Sequence, residues 1–375
     1  MYKKRIVIIG GGFAGLSAAK YLSEHKRHAE VVLVDQKENS HFRPLIPDVV
    51  SGRVSSQNLL YPILAFKEKY GFIFHCEPVN EIGFSGNEII LPEKSIAYDY
   101  LILATGSQTP LPPSGPFRQF ALRLDSVHDA NHVRNALKSG MYERFVVCGG
   151  GYTGVELASN LQQAIRDSGF SAEVVIVEMV EKLISTLPQW MSSYVTKTLT
   201  DLGIQMRLST KITDLSEDEV TLSNGEHFKK TLCLWTTGLE ASSLSRKIDV
   251  SKAQKGRIVV NRNLFFKENC LAAGDAACCR KNNDCSRMSV QCSIDQGRIA
   301  ACNVVAHMRN MPLKKYEMWD PGFVIPMTKG KACGEVMGIA VKDHAALVLH
   351  YLLSTYRANG IFNRLKIANA ALKAF

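Results

Sequence analysis

The sequence predicts an α/β chain with two parallel-sheet domains of the same plan, the first of them discontinuous, followed by a C-terminal region of amphipathic helices. Three observations carry that prediction. The run Ile6-Val7-Ile8-Ile9-Gly10-Gly11-Gly12-Phe13-Ala14-Gly15 recurs as Phe145-Val146-Val147-Cys148-Gly149-Gly150-Gly151-Tyr152-Thr153-Gly154. Each copy is followed by a β-rich run that ends in an acid, Val31 to Asp35 and Val174 to Glu178. Each is then closed by a further apolar run, Tyr98 to Gly106 and Thr231 to Gly238. An internal repeat of strand, glycine turn, helix and strand marks two βαβ units.

Within each copy the residues have separate tasks. Gly10 and Gly149 make the tight turn, Gly12 and Gly151 let backbone N–H groups approach a pyrophosphate, and Gly15 and Gly154 let helix pack on strand. The phosphate then lies at the positive end of a helix, which opens with Phe13 and Ala14 in the first copy and with Tyr152 and Thr153 in the second. Asp35 and Glu178 are placed to accept hydrogen bonds from a ribose diol. At Glu178 a carboxylate repels the 2′-phosphate of NADP, so NADH is the expected nucleotide there. One such turn could be a strand–helix connection with no ligand. Two copies, each after a strand and each followed by an acid, predict two Rossmann-like dinucleotide-binding domains.

The boundaries follow from this pattern. The stretch Pro110 to Pro116 is rich in Pro, Gly and Ser and reads as a linker. The first domain is expected at 1–116 and 246–315, with the chain returning near Arg257; the second at 117–245; and a C-terminal region, lacking the Rossmann pattern, at 316–375.

Composition narrows the setting. With 375 residues, 46% hydrophobic and 21% charged, the chain has an ordinary globular balance and about two domains' worth of material. The apolar run at Ile6 is too short for a signal peptide, and no window of about 18 apolar residues predicts a membrane span, so a cytoplasmic location with peripheral attachment at most is expected. Ten scattered cysteines without a secretion signal read as buried small side chains or reactive thiols, not as a disulfide framework. The net charge of +10 suits nucleic acid, an anionic dinucleotide or a lipid surface. Nucleic acid is set aside, because no Lys/Arg stripe with interleaved aromatics is present.

With these residues assembled, the chain resembles the two-dinucleotide flavoprotein reductases of the pyridine nucleotide-disulfide oxidoreductase superfamily, and among them the type II NADH:quinone dehydrogenases. The markers are Gly149 to Ala158, Ala104-Thr105-Gly106 and Ala272-Ala273-Gly274-Asp275-Ala276-Ala277. The resemblance implies FAD on the first loop, with Gly274 and Asp275 at the ribityl chain and flavin phosphate, Val79 near the adenine, and Arg43 and Pro44 also at the flavin nucleotide. Gly238, which closes the second unit, goes with the NADH site. Val290-Gln291-Cys292-Ser293-Ile294-Asp295-Gln296-Gly297 is similar to the family's segment beside flavin and quinone; Gln291 and Gln296 match, whereas Asp295 stands where the family has a glutamine. Glu156 is implied to be an acid near flavin and quinone that assists proton delivery; an acid favoured by the dipole of a helix start explains it equally well. The implied reaction is hydride transfer from NADH to FAD, then two-electron reduction of a membrane quinone without proton pumping.

Missing and leftover cysteines separate alternatives. Lys37 to Ser56 contains no cysteine pair, which disfavours dithiol chemistry. Cys333 keeps a sulfide:quinone reductase-like reading open, and a redox-sensing flavoprotein with slow turnover is a third. Cys278, Cys279 and Cys285 have the wrong spacing for zinc and read as an exposed thiol loop, so no metal is expected. From His344 to Phe375 the chain carries Arg357, Arg364, Lys366 and Lys373 and no acid. An amphipathic helix pair with a basic rim suits the surface of an anionic membrane on its cytoplasmic side; packing on the body of the protein or on the second subunit of a homodimer is the other reading. The resemblance implies membrane attachment. His350 reads as a packing residue.

Overall fold

The computed structural model describes residues 3–25, 29–110, 112, 117–281, 284–328 and 330–372. Most of the expected linker, 113–116, lies outside them. The chain forms two compact units, one from 1–40, 61–108 and 239–320, the other from 41–60, 109–238 and 321–375. These cuts lie five to eight residues from the expected ones at 108, 239 and 320, and two larger differences stand beside those shifts. Residues 41–60 group with the second unit, and so do residues 321–375 of the C-terminal region, which is not a separate body.

The first unit is built on a six-stranded sheet in the order Phe265–Lys267, Cys270–Ala272, Tyr100–Leu103, Lys4–Ile9, Ala29–Asp35, Ile73–Cys76. All neighbours are parallel except the pair Phe265–Lys267 and Cys270–Ala272. Its strands read as continuous apolar runs because both faces are covered, as parallel sheets require. Ile6, Ile8, Leu33, Ile102 and Leu271 have no solvent exposure, and each such side chain contributes about 1.5–3 kcal/mol by burial. The helices Phe13–Ser23 and Val290–Met308 lie against one another. Their contact is close at Gly297, where a side chain would meet the Ala14 carbonyl oxygen at 2.1 Å.

The second unit repeats the plan with five parallel strands, in the order Leu122–Arg123, Thr231–Trp235, Arg144–Cys148, Glu173–Val177, Gln205–Arg207. In both units the strand leading into the glycine loop has the next strand of its βαβ unit on one side and a later strand on the other. The loop therefore leaves the sheet where the winding reverses, the crevice in which α/β folds bind ligands. The C-terminal strands Gly322–Thr328, Lys331–Val336 and Ile339–Lys342 form an antiparallel sheet, and the helices Asp343–Arg357 and Ile361–Leu372 follow it.

Candidate functional site

The two glycine loops superimpose chemically residue by residue. Gly10 donates its N–H to Val34 O at 2.8 Å, and Gly149 donates to Val177 O at 2.9 Å. Both have φ of +109°, a region that L side chains avoid, and a Cβ on Gly10 would also sit 2.3 Å from Ala104 O. Gly15 and Gly154 are fixed by space: a Cβ would meet the carbonyl oxygen of Gly10 at 1.8 Å and of Gly149 at 1.9 Å. At Gly12 and Gly151 the reverse holds. A Cβ there would meet nothing within 4 Å, and neither helix that follows has a side-chain cap. Each loop thus leaves uncapped helix N–H groups beside open space, which is the donor set a pyrophosphate requires.

The acids at the strand ends bind the loops themselves. Asp35 accepts from Gly11 N at 2.6 Å and Lys37 N at 2.8 Å, while Glu178 accepts from Gly150 N at 2.6 Å and Val180 N at 3.1 Å. Gly11 and Gly150 match too, for a Cβ would strike Ile63 and Leu183, each at 2.5 Å. The closing segments are also equivalent. Ala104 donates to Ile9 O and Thr236 to Cys148 O, at 2.8 and 2.9 Å, and Gly106 and Gly238 both have positive φ. Thr105 adds a hydrogen bond to Ser245 at 2.7 Å.

In the first unit, Asp275 is half-buried and accepts from the Ser107 hydroxyl at 2.6 Å. The neighbouring Gly274 N–H donates to Oε1 of the fully buried Gln296, whose Nε2 donates to Ser286. Gln291 is partly exposed and donates to Asp295 at 3.0 Å, so the residue that departs from the family pattern holds the one that follows it. Ala14 packs beside Gly274 and Gly297, and Val79 against the apolar core. Arg257, which carries no motif, is buried and donates to the backbone carbonyls of Asp275, Ala277 and Ser286. One guanidinium with five fixed donors ties the Asp275 turn to the segment after Cys285.

Arg43 and Pro44, grouped with FAD in the sequence, belong to the second unit, where Arg43 pairs with Asp125 at 3.1 Å. Tyr152 opens its helix in edge contact with Phe323, next to Thr153.

Glu156 lies one turn further along and belongs to a polar cluster that the sequence did not signal. Its side chain keeps some solvent access, yet desolvation dominates and pushes its carboxyl well above the usual range; nearby Asp48 pushes the same way and Arg53 opposes them. Asp48 is 1% exposed, accepts from Tyr351 Oη at 2.9 Å and faces Arg53 Nη1 at 3.5 Å. Arg53 also donates to Asn160 Oδ1 at 3.0 Å, and Asn160 donates to the Glu156 carbonyl at 2.9 Å. His350 is buried edge-on to Tyr351; burial pulls its imidazole down to about 4, and its Nε2 has no hydrogen-bond partner among the described residues. It is a neutral packing residue at physiological pH.

Two cysteine expectations change. Cys278 and Cys285 form a disulfide between the strands Ala277–Lys281 and Asp284–Cys285, and Cys278 and Cys279 are buried rather than exposed. The antiparallel hairpin brings together two residues that spacing alone could not pair. Cys333 is fully buried, and desolvation pushes its thiol up to about 12, which leaves almost no thiolate for sulfur chemistry.

The chain belongs to the pyridine nucleotide-disulphide oxidoreductase family, whose model matches residues 4–297. Its relatives include type II NADH:quinone oxidoreductases. It is 28% identical to the demethylphylloquinone reductase of Synechocystis over 95% of this chain and 92% of that one, and 24% identical to the type II NADH:quinone oxidoreductase of Haemophilus influenzae over 89% and 87%. The fold is that of NDH2 from Plasmodium falciparum, solved in complex with NADH: TM-score 0.86 at 14% identity, covering 99% and 98% of the two chains.

Proposed function

We propose that this protein is an FAD-dependent NADH:quinone oxidoreductase that does not pump protons. The observation that carries the reading is the pair of matched glycine loops, each with open space over its middle glycine, Gly12 and Gly151. Similarity to quinone reductases over about nine tenths of both chains supports the acceptor.

In this reading the loop at Gly10, Gly12 and Gly15 holds FAD, with Asp35 at the adenosine ribose and Asp275 at the ribityl chain. Ser107, Gln296 and Arg257 are positioning residues, since they fix the Asp275 side chain and the backbone around it. The flavin, once bound, supplies the two-electron relay between reduced nicotinamide and quinone. The loop at Gly149, Gly151 and Gly154 holds NADH, and Glu178 selects it over NADPH. Glu156, with its carboxyl held toward the protonated form, donates a proton to the reduced acceptor; Gln291 orients that acceptor.

Peripheral attachment to the cytoplasmic face of a membrane completes the proposal. No helix among the described residues is long and apolar enough to cross a membrane. The two C-terminal helices expose Leu352, Tyr356, Ile361, Phe362 and Leu365, each at least 59%, the apolar face that an interfacial helix pair needs. The same face would serve a homodimer, so the test must separate the two.

The sulfide:quinone alternative loses its thiolate at Cys333. Steady-state NADH oxidation by the FAD-loaded chain with a short-chain quinone is the direct test, and negligible turnover contradicts the assignment. For attachment, Leu352, Phe362 and Leu365 are replaced together by Gln. Loss of vesicle binding at unchanged oligomeric state supports the membrane; unchanged vesicle binding opposes it. Removing the whole segment is a poor test, because Tyr351 anchors Asp48.

A further inference from the structure

We propose that the second unit carries an anion site, separate from both glycine loops, that binds a phosphate group. The site is a cavity of about 190 Å³ lined by Arg53, Arg134 and Lys366 together with Ser56, Asn58 and Asn369. No acid lines it, and Ala370 is its one apolar side chain. A wall of three cations and neutral hydrogen-bond donors suits an oxyanion and offers nothing to an apolar ligand.

Three elements converge to make it. Arg134 comes from the helix Val127–Ser139, Asn58 and Ser56 from the turn Ser56–Leu59, and Lys366 and Asn369 from the helix Ile361–Leu372. The last two are three residues apart and share a helix face. Gly52 holds the geometry from below. A Cβ there would lie 2.9 Å from Arg134 Nη2, so any other residue would displace the guanidinium.

Two of the three charges are uncompensated. Arg53 is neutralised by Asp48 at 3.5 Å, and its side chain is 5% exposed, with Nη1 lacking a hydrogen-bond partner. Arg134 and Lys366 have no ion pair among the described residues. Two cations facing one polar cavity repel each other unless an anion joins them. Phosphate reaches such a site either as a free ion or as the headgroup of an anionic lipid. Phe362 and Leu365, exposed on the Lys366 helix, favour the headgroup. That second source rests on the membrane reading above; the site itself does not.

The test uses the FAD-loaded full chain with NAD⁺ present to fill the nucleotide loop. Inorganic phosphate binding is measured by calorimetry, and vesicle binding by co-sedimentation with phosphatidylcholine alone or mixed with phosphatidylglycerol. The double variant R134Q/K366Q is compared with K138Q/K211Q, which has the same net charge and leaves the cavity intact. The expected result is a dissociation constant for phosphate raised about a hundredfold in R134Q/K366Q, about tenfold for each cation removed, with the control unchanged. If the lipid is the source, R134Q/K366Q also loses the phosphatidylglycerol-dependent part of vesicle binding, and inorganic phosphate competes for it. Phosphate binding lost in the variant without any change on vesicles supports the site with free phosphate as its ligand. The proposal is overturned if the cavity variant and the charge-matched control behave alike in both arms.

Discussion

Replacing Gly151 by alanine isolates ligand binding from folding. Gly151 has φ of −79° and ψ of −170°, which alanine adopts freely, and an added Cβ meets nothing within 4 Å. Alanine is a poorer helix cap than glycine by about 0.5–1 kcal/mol, while it gains about 0.4–1 kcal/mol by restricting the unfolded chain. The two nearly cancel, so the melting temperature should stay within about 2 °C of wild type. The methyl group does occupy the space through which phosphate oxygens approach the helix N–H groups. Losing one charge-assisted hydrogen bond costs about 1.5–3 kcal/mol, which is a roughly ten- to hundredfold fall in kcat/KM for NADH. Gly154→Ala makes the contrast. Its Cβ would lie 1.9 Å from the Gly149 carbonyl oxygen, so the helix must lift from the strand and the protein should melt several degrees lower. The assay is NADH oxidation at saturating quinone, alongside FAD absorbance and thermal melts. A Gly151→Ala protein with normal melting and wild-type kcat/KM for NADH would refute the assignment of this loop.

Three further outcomes follow from the same geometry. Glu178→Gln removes the charge and keeps one acceptor oxygen for the Gly150 N–H while giving up the one on Val180, so the NADPH to NADH ratio of kcat/KM should rise about tenfold; an unchanged ratio opposes the selectivity role. Glu156 has a raised pKa in the folded state, so its contribution to stability is fully present below the unfolded value and is lost as pH rises through the folded value. Glu156→Gln should therefore gain stability relative to wild type in denaturant melts at pH 8 compared with pH 4, and it should flatten the alkaline decline of quinone reduction; a parallel profile in the variant contradicts the proton-donor role. Cys333→Ser should leave NADH:quinone turnover within twofold of wild type, whereas abolition would revive the sulfur-carrying reading.

The loops were legible in sequence because backbone chemistry admits no substitute for glycine at Gly10 or Gly15: one needs positive φ, the other has no room for a Cβ. Each requirement acts within a few residues and leaves a local pattern. The cluster around Glu156 left none. Asp48, Arg53, Asn160 and Tyr351 come from elements up to 303 residues apart, and no periodicity joins a buried Asp after a proline to a Tyr on a late helix. The Cys278–Cys285 disulfide leaves no sequence signal for a related reason. Their pairing depends on a hairpin register, whereas a short polar stretch between cysteines reads equally as an open loop. Gln296 was found by resemblance but its work is visible only in the fold, where both ends of its amide are used to hold Gly274 and Ser286.

The central claim is a directed path for two electrons from NADH to a quinone by way of one bound flavin. An anaerobic absorbance titration of the purified, FAD-loaded protein tests it most directly. The flavin band near the visible maximum should bleach with one equivalent of NADH per FAD and recover fully on adding one equivalent of quinone. A flavin that NADH does not bleach, or that stays bleached after quinone is added, would contradict the account.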